Sequence, residues 1–379
     1  MLLNKYHRIL NALSIELSGN HLDHLCKLYR NLVSHETKHH GRKFMVEHMK
    51  QLLSIAERYA IYQPIQPITF RKSDKDGFPR EISQFKTYLR SENPIVVKIT
   101  LSIFRSVELF LLPPNHLTET IERLPQYDEA VVADIVKYIP MFIQKLPKLE
   151  YKGLYYHYTV KNGPNGPALA CSDTDLGAIR LDTELYTALR QVSLALGDTR
   201  FPDDDYESRV DTTSSIHSKL SQISDKAGKT RTIAVVDYYS QRALKPLHDA
   251  LMHVLRRLPS DGTYSHNCVG NYAKDATSKK LDIVTSDMTA FTDLFPSVIQ
   301  YHLLKHMVKD QTLAESWWTL LAKRTFKLGW EDRYVSYGTG QPMGAYASWA
   351  LCTLAHHLIV HYSAYKTSRK GVFKHYRII

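Results

Sequence analysis

Cysteine is sparse in this chain, and what there is lies scattered. Cys26, Cys171, Cys268 and Cys352 form no C-x-x-C pair, which excludes a zinc ribbon of ordinary spacing and a disulfide framework, so a reducing compartment is the expectation. Long uncharged apolar runs are missing too. The most apolar stretch, 94–112, contains Lys98, Arg105 and Glu108, more charge than a span of roughly 20 residues tolerates in a bilayer. It reads as a buried helix, and no membrane span is expected. Lys5 and Arg8 interrupt what would have to be the apolar core of a secretory leader. The first acid is Glu16, which makes 1–17 a weakly basic amphipathic helix, poorer in Arg and Ser than a mitochondrial presequence. Internal repeats and low-complexity tracts are absent.

Charge of one sign is in excess. The 379 residues carry a formal net charge of +11 with 44% hydrophobic content, which provides a core, excludes a disordered chain and favours a polyanionic partner. Helical spacing dominates the first 150 residues, with helices predicted at 22–32, 43–62, 94–112 and 130–145 and a Pro-rich and charged connection at 63–80. Further helices are predicted at 181–196, 216–223, 237–257, 312–322 and 346–365, and a hairpin at 325–337. A strand is expected at 372–379.

Three motif matches fail on inspection. His35-Glu36-Thr37-Lys38-His39 fits H-E-x-x-H, but His40-Gly41 should end the helix that must aim both rings inward. Gly228-Lys229-Thr230 imitates the end of a P-loop, yet Ile223 stands where the cradle needs its first glycine. The acidic run Asp203-Asp204-Asp205 follows Pro202 outside any periodic segment and reads as a solvated loop.

What survives is a set of blocks in a fixed order. The first is 161–168, KNGPNGPA, a turn punctuated by glycine and proline after the aromatic run 155–158. Next, Lys226, Lys229 and Arg231 form a basic turn running into the β-type segment 232–236, where cations can neutralise a triphosphate. The segment 281–296, LDIVTSDMTAFTDLFP, opens with a strand-like apolar run that should leave Asp287 at a strand's C-terminal end, suited to a hard cation such as Mg²⁺, with Asp293 six residues on. An isolated Asp pair is ordinarily a turn residue and a helix start; its company argues otherwise. Last comes the loop 338–345, in which Gly344 permits close approach by a ligand, opening an apolar helix with Ser348 in its first turn. His356 and His357 further along read as packing or capping residues.

KTRTIAVVDYYSQRALKPLHD (229–249), SDMTAFTDLFP (286–296) and GQPMGAYASWALCTLAHHLIV (340–360) resemble, in content and order, successive motifs of viral RNA-dependent RNA polymerases. The resemblance is closest to those of mitoviruses, capsidless viruses that replicate in fungal and plant mitochondria, and covers 161–379. It implies an α+β, right-hand polymerase fold: a helical N-terminal region at 1–150, fingers at 151–280 and a partial palm with a small antiparallel sheet at 281–379, the thumb being absent. It implies that Asp287 binds catalytic Mg²⁺, or Mn²⁺ in its place, and that Asp293 recognises the ribose hydroxyl. Lys229 and Arg231 would take the triphosphate, Ser348 the sugar, and Lys161, Gly163, Gly166 and Gly344 the template. The implied partners are template RNA, nascent RNA and nucleoside triphosphates, and the implied site is the host mitochondrion.

Two departures stand out. Cys352 occupies a position where many such polymerases have Asn for sugar selection, so selection should rest more on Asp293. The family's Gly-Asp-Asp hairpin is expected directly after 372–379; without it the chain is expected to be an N-terminal portion, inactive alone. A non-catalytic RNA-binding remnant and a reverse transcriptase or maturase are the alternatives; against the latter, Asp293 offers an acceptor to a 2′-hydroxyl where such enzymes usually carry an aromatic gate.

Overall fold

In the computed structural model, residues 1–151, 157–198, 215–368 and 375–378 are described. Residues 155–156 of the aromatic run, the acidic run 203–205 and half of the expected strand at 372–379 fall outside them. Two compact units emerge: Met1–Asn115 with Gln222–Arg231, and His116–Ser221 with Thr232–Ile379.

The first unit is helical, as the spacing of its apolar residues requires. Leu2–Ser18 is followed by a long helical run, Asp23–Ala60, broken at Gly41 by a backbone conformation (φ 82°, ψ 167°) that only glycine adopts readily. Pro94–Arg105 starts where Asn93 caps it, the Asn side chain accepting from the Ile95 N–H, and it is buried on one face rather than membrane-spanning. No helix among the described residues is long and apolar enough to cross a membrane. Leu25, Tyr29, Met49, Leu52, Phe85 and Phe104 are fully buried in its core.

The second unit has its own core, built from the faces of Glu129–Ile143, Thr183–Ala195, Tyr238–Arg256, Gln311–Leu321 and Ser348–Lys366. Leu244, Leu247, Leu251, Val254 and Leu255, spaced for one face of Tyr238–Arg256, are all buried. The sheet is small, with strands β1 (Ser218–Ser224), β2 (Thr230–Val236), β3 (Thr325–Leu328) and β4 (Tyr334–Ser336) in the order β2-β1-β3-β4. The expected hairpin is β3–β4, paired antiparallel with Phe326 opposite Val335; β1 and β3 run parallel, so the sheet is mixed where an antiparallel one was expected. Mixed helix and sheet agree with the α+β class.

Two segments differ from expectation. Residues 216–223, predicted helical, begin β1, because Leu220 is drawn into the sheet beside Leu328 and its carbonyl takes the Gly329 N–H at 2.8 Å. Residues 281–287, predicted to contain a strand, pair with none of the four strands and remain irregular, with Leu281, Ile283 and Val284 exposed. Apolar composition supplies β propensity, but a strand forms only where a neighbour takes up its backbone N–H and C=O groups.

A buried polar hub ties the second unit together. The Arg324 guanidinium, fully enclosed, pairs with the equally enclosed Asp237 at 2.9 Å and donates to Ser218 Oγ, Ser240 Oγ and the carbonyls of His217 and Leu320. Asp237 also caps Tyr238–Arg256 by accepting from the Ser240 N–H at 2.7 Å. One cation thus joins the start of β1, the N-terminus of one helix and the C-terminus of another. Beside it, Asp175 accepts from the Tyr238 N–H and from Asn165, yet burial, and then the charge of Asp237, push its carboxyl up to about 7. Because the folded value lies above the unfolded one of about 4, this group's stabilising contribution is complete below pH 4 and is lost as pH rises through about 7. In chemical denaturation, the stability of wild type relative to Asp175→Asn should therefore fall as pH rises from about 4 to about 7. A difference between the two proteins that does not vary with pH would contradict that assignment.

Candidate functional site

In the first unit, the turn between β1 and β2 carries the predicted triphosphate cations. Its chain reversal is closed by the Asp225 N–H donating to the Lys229 carbonyl at 2.7 Å, with Ala227 and Gly228 at positive φ. The Gly228 N–H reaches the Phe110 carbonyl, and a side chain at Gly228 would strike Leu112 at 2.6 Å, so the turn is seated on its own unit. Lys229 is exposed, and no acid pairs with it among the described residues. Arg231 is exposed as well, but its Nε already meets Asp225 Oδ2 at 2.5 Å. The Lys226 backbone N–H and then Arg231 hold the Asp225 carboxyl below the usual range. An incoming phosphate would have to compete for Arg231 and not for Lys229.

The H-E-x-x-H match lies in the same unit, and its fate is clear. The helix breaks at Gly41, where the sequence placed its end, but it has already run from Asp23; His35 and His39 lie in the stretch before the break and face solvent, rings 4.5 Å apart. Glu36 is fully buried against Arg71 at 2.6 Å. Glu36, His48 and Glu81 converge closely enough to suggest a metal cluster, but Arg71 also lies 3.6 Å from Glu81 and already supplies the cation those carboxylates need.

In the second unit, the predicted template turn is a closed turn. Gly163 N–H donates to the Gly166 carbonyl at 2.6 Å and Ala168 N–H to the Lys161 carbonyl at 2.8 Å. Asn165 anchors it through Asp175 and the Ile216 carbonyl, leaving Lys161 exposed at its rim.

The loop 338–345 is held from several sides. Gln241, on Tyr238–Arg256, donates to the Gly344 carbonyl at 3.0 Å and accepts from the Tyr346 N–H at 2.9 Å. One helical turn pair further along, His248 Nδ1 accepts from the Ala347 N–H at 3.2 Å. That bond requires an unprotonated Nδ1, which fits a ring pushed down to about 4 by burial and the nearby Lys245 charge. Gly344 has φ 121°, and a side chain there would strike the Ala234 carbonyl at 2.6 Å. The close approach that glycine allows is by the chain's own strand β2. Ser348 is buried and its hydroxyl donates to the Pro342 carbonyl at 2.8 Å, while its carbonyl accepts from Gln341 at 2.7 Å. The hydroxyl closes the loop on itself.

Asp293 lies on the short helix Phe291–Leu294, entered through Ala290 in a left-handed conformation. Three segments lock around it. Gln341 N–H donates to the Thr292 carbonyl at 2.9 Å and Ser297 N–H to the Thr339 carbonyl at 3.0 Å, which fastens the glycine loop to the carboxylate turn. Gly338 N–H donates to the Ile121 carbonyl at 2.8 Å, and Thr339 Oγ1 to the Arg123 carbonyl at 2.8 Å, which fastens the loop to residues 118–123. From there Thr120 Oγ1 donates to Asp293 Oδ2 at 2.7 Å. Burial raises the Asp293 carboxyl, and the hydroxyls of Thr120 and Thr292 oppose that rise. Nothing in the sequence pointed to Thr120.

Asp287 sits in the irregular segment, exposed, and no hydrogen bond or ion pair joins its carboxylate to another described residue. Its oxygens are open to a hard cation. No group of three acid, histidine or cysteine side chains converges on it among the described residues. The residues present therefore fit an Mg²⁺ that takes one or two protein oxygens and fills its shell with water and phosphate, and do not fit an all-protein cage. Of the residues singled out from sequence, Lys229 and Arg231 belong to the first unit, and Lys161, Gly163, Gly166, Asp287, Asp293, Gly344 and Ser348 to the second. His357, read as a packing residue, is enclosed between Asp261 at 3.0 Å and the Tyr376 hydroxyl at 2.6 Å.

Comparison with known proteins gives these positions a context. A family model described as Mitovirus RNA-dependent RNA polymerase matches residues 148–379. An RNA-directed RNA polymerase of Cryphonectria parasitica mitovirus 1 is 32% identical over 168 residues, 43% of this chain and 20% of that protein. An uncharacterised mitochondrial protein of Arabidopsis thaliana is 37% identical over 114 residues, 29% of this chain and 44% of that one. The matched segments thus span less than half of either relative. No solved structure matches.

Proposed function

Because the chain belongs to the mitovirus RNA-dependent RNA polymerase family, we propose that it serves template-directed nucleotide addition to RNA by two-metal chemistry, in mitochondria. In this reading Asp287 holds Mg²⁺, with Mn²⁺ as a substitute, and Asp293 accepts a hydrogen bond from the ribose 2′-hydroxyl. Lys229 and Arg231 bind the triphosphate in the first unit; in the second, Ser348 fixes the loop beneath the sugar, and Lys161, Gly163, Gly166 and Gly344 border the template. Template, nascent RNA and nucleoside triphosphates are the partners. When bound, the metal would make the attacking hydroxyl more acidic and offset the negative charge of the departing pyrophosphate. The side chains bind and orient. Arg231 offers a planar fork of donors to phosphate oxygens, Lys229 a point charge, and Asp293 an acceptor that a deoxyribose leaves unused.

The observation that carries this reading is the exposed, unencumbered Asp287 carboxylate, six residues before an Asp293 that is half-buried and clamped. One of the pair is left open for a cation and the other is built for selection. In the intact protein, Asp287→Asn is expected to lower Mg²⁺-dependent incorporation of labelled ribonucleotides on an RNA template by at least about a hundredfold, with the melting transition unchanged. Undiminished copying by the variant overturns the assignment. RNA retention by the wild-type protein without incorporation at any Mg²⁺ or Mn²⁺ concentration would favour a non-catalytic RNA-binding role, the reading that a single open carboxylate also suits.

A further inference from the structure

We infer that Thr120 is a positioning residue for Asp293: its hydroxyl orients the carboxylate that reads the sugar, so that ribonucleotide selection depends on a residue lying ahead of the segment 148–379 that the family model matches. This rests on the reading of Asp293 as the sugar-recognising acceptor.

A carboxylate that selects a 2′-hydroxyl must be charged, to accept strongly, and fixed, to accept in one place. Burial of Asp293 works against the first requirement, because a desolvated carboxyl holds its proton. Donors in the site act in the opposite sense and favour the charged form. Thr120 Oγ1 donates to Oδ2 at 2.7 Å and also fixes the second torsion of the side chain. A carboxylate has about four lone-pair sites, so the bonds from Thr120 and Thr292 leave capacity for a substrate hydroxyl.

Thr120 is itself held firmly. It belongs to the short helical turn Glu119–Glu122, whose Ile121 carbonyl accepts from the Gly338 N–H and whose Glu122 pairs with Arg333 at 2.8 Å. Arg333 Nη2 also donates to Thr118 Oγ1 at 3.1 Å. The donor is therefore part of the backing against which the glycine loop lies. Tyr337, buried nearby, has its phenol pushed up by burial and then by the charge of Asp293. A hydroxyl contributed by the backing, and not by the loop or the carboxylate turn, couples the position of all three segments to the direction in which Asp293 points.

The test is equilibrium binding of ATP and of 2′-deoxy-ATP, in Mg²⁺, to the full chain with a template–primer RNA, for wild type, Thr120→Val, Thr120→Ser and Asp293→Asn. Wild type should prefer ATP, and Asp293→Asn should abolish the preference. Thr120→Val, nearly isosteric, should cut the preference about tenfold, the scale of one hydrogen bond to a charged group, and Thr120→Ser should restore it. Equal loss in the Val and Ser variants would show that the hydroxyl is not the agent and overturns the inference. Full preference in Thr120→Val alongside its loss in Asp293→Asn also overturns it, while leaving the sugar reading standing. An Asp293→Asn protein that discriminates like wild type, or a wild type that does not discriminate, removes the sugar reading and this inference with it.

Discussion

Replacing Arg324 with methionine is expected to lower the unfolding free energy of the second unit by about 3–5 kcal/mol, the usual scale for stranding one member of a buried ion pair. The reason lies in what remains. Asp237 has no solvent to turn to, and Ser218, Ser240 and the carbonyls of His217 and Leu320 would each lose a donor at once. Arg324→Lys should recover little, because a single ammonium cannot span partners that a planar fork reaches in different directions. Adding Asp237→Asn to Arg324→Met should recover part of the loss, since Asn keeps the helix cap while discarding the unpaired charge. Urea denaturation of the four proteins measures this. If Arg324→Met unfolds within about 1 kcal/mol of wild type, the hub is not what holds these elements together.

The second large effect is at Gly340. A Cβ there would be driven against the Thr292 carbonyl oxygen and within 2.5 Å of the Asp293 carbonyl carbon. Both obstacles are backbone, which cannot rotate away. Gly340→Ala should therefore cost more than the about 1–3 kcal/mol typical of overpacking, and should displace the carboxylate turn, so that ribonucleotide preference falls together with stability. A useful contrast is Gly270, in the helix Asn267–Ser278, where an added Cβ meets nothing within 4 Å. Gly270→Ala should stabilise, by about 0.5–1 kcal/mol, through helix propensity alone. Thermal melts that show Gly340→Ala no less stable than wild type would mean that the loop and the carboxylate turn are not in the contact described.

These two sites show what was and was not legible in the sequence. Helices were legible because one face must be apolar at a period of 3.6: the leucines of Tyr238–Arg256 announce both the element and its buried side. Asp237 at its start is a cap that any reader would mark. Its partnership with Arg324 is not, because the two are 87 residues apart and nothing local in either distinguishes a buried charge from a solvated one. Strands fared worse. Residues 281–287 have strand composition and no ladder, whereas 218–224 have a polar composition and a ladder on each side. Composition speaks of side chains, while a sheet is decided by which backbone comes alongside. The glycines of the loop were legible as places of close approach, but the approaching atoms belong to the chain itself, to Ala234 at Gly344 and to Thr292 at Gly340. Thr120 left no trace, since a threonine outside every predicted element resembles any other until its hydroxyl is seen on a carboxylate.

The segment matched by family likeness and the compact second unit begin at different places. The second unit starts at His116, and Ile121, Ile135, Tyr138, Ile139 and Phe142 are part of its buried core, all of them ahead of residue 148. A fragment cut where the likeness begins would open that interior along the whole inward face of Glu129–Ile143 and would take from Asp293 the Thr120 hydroxyl. For this chain, the boundary that evolution's similarity marks falls inside a compact unit and not at its edge.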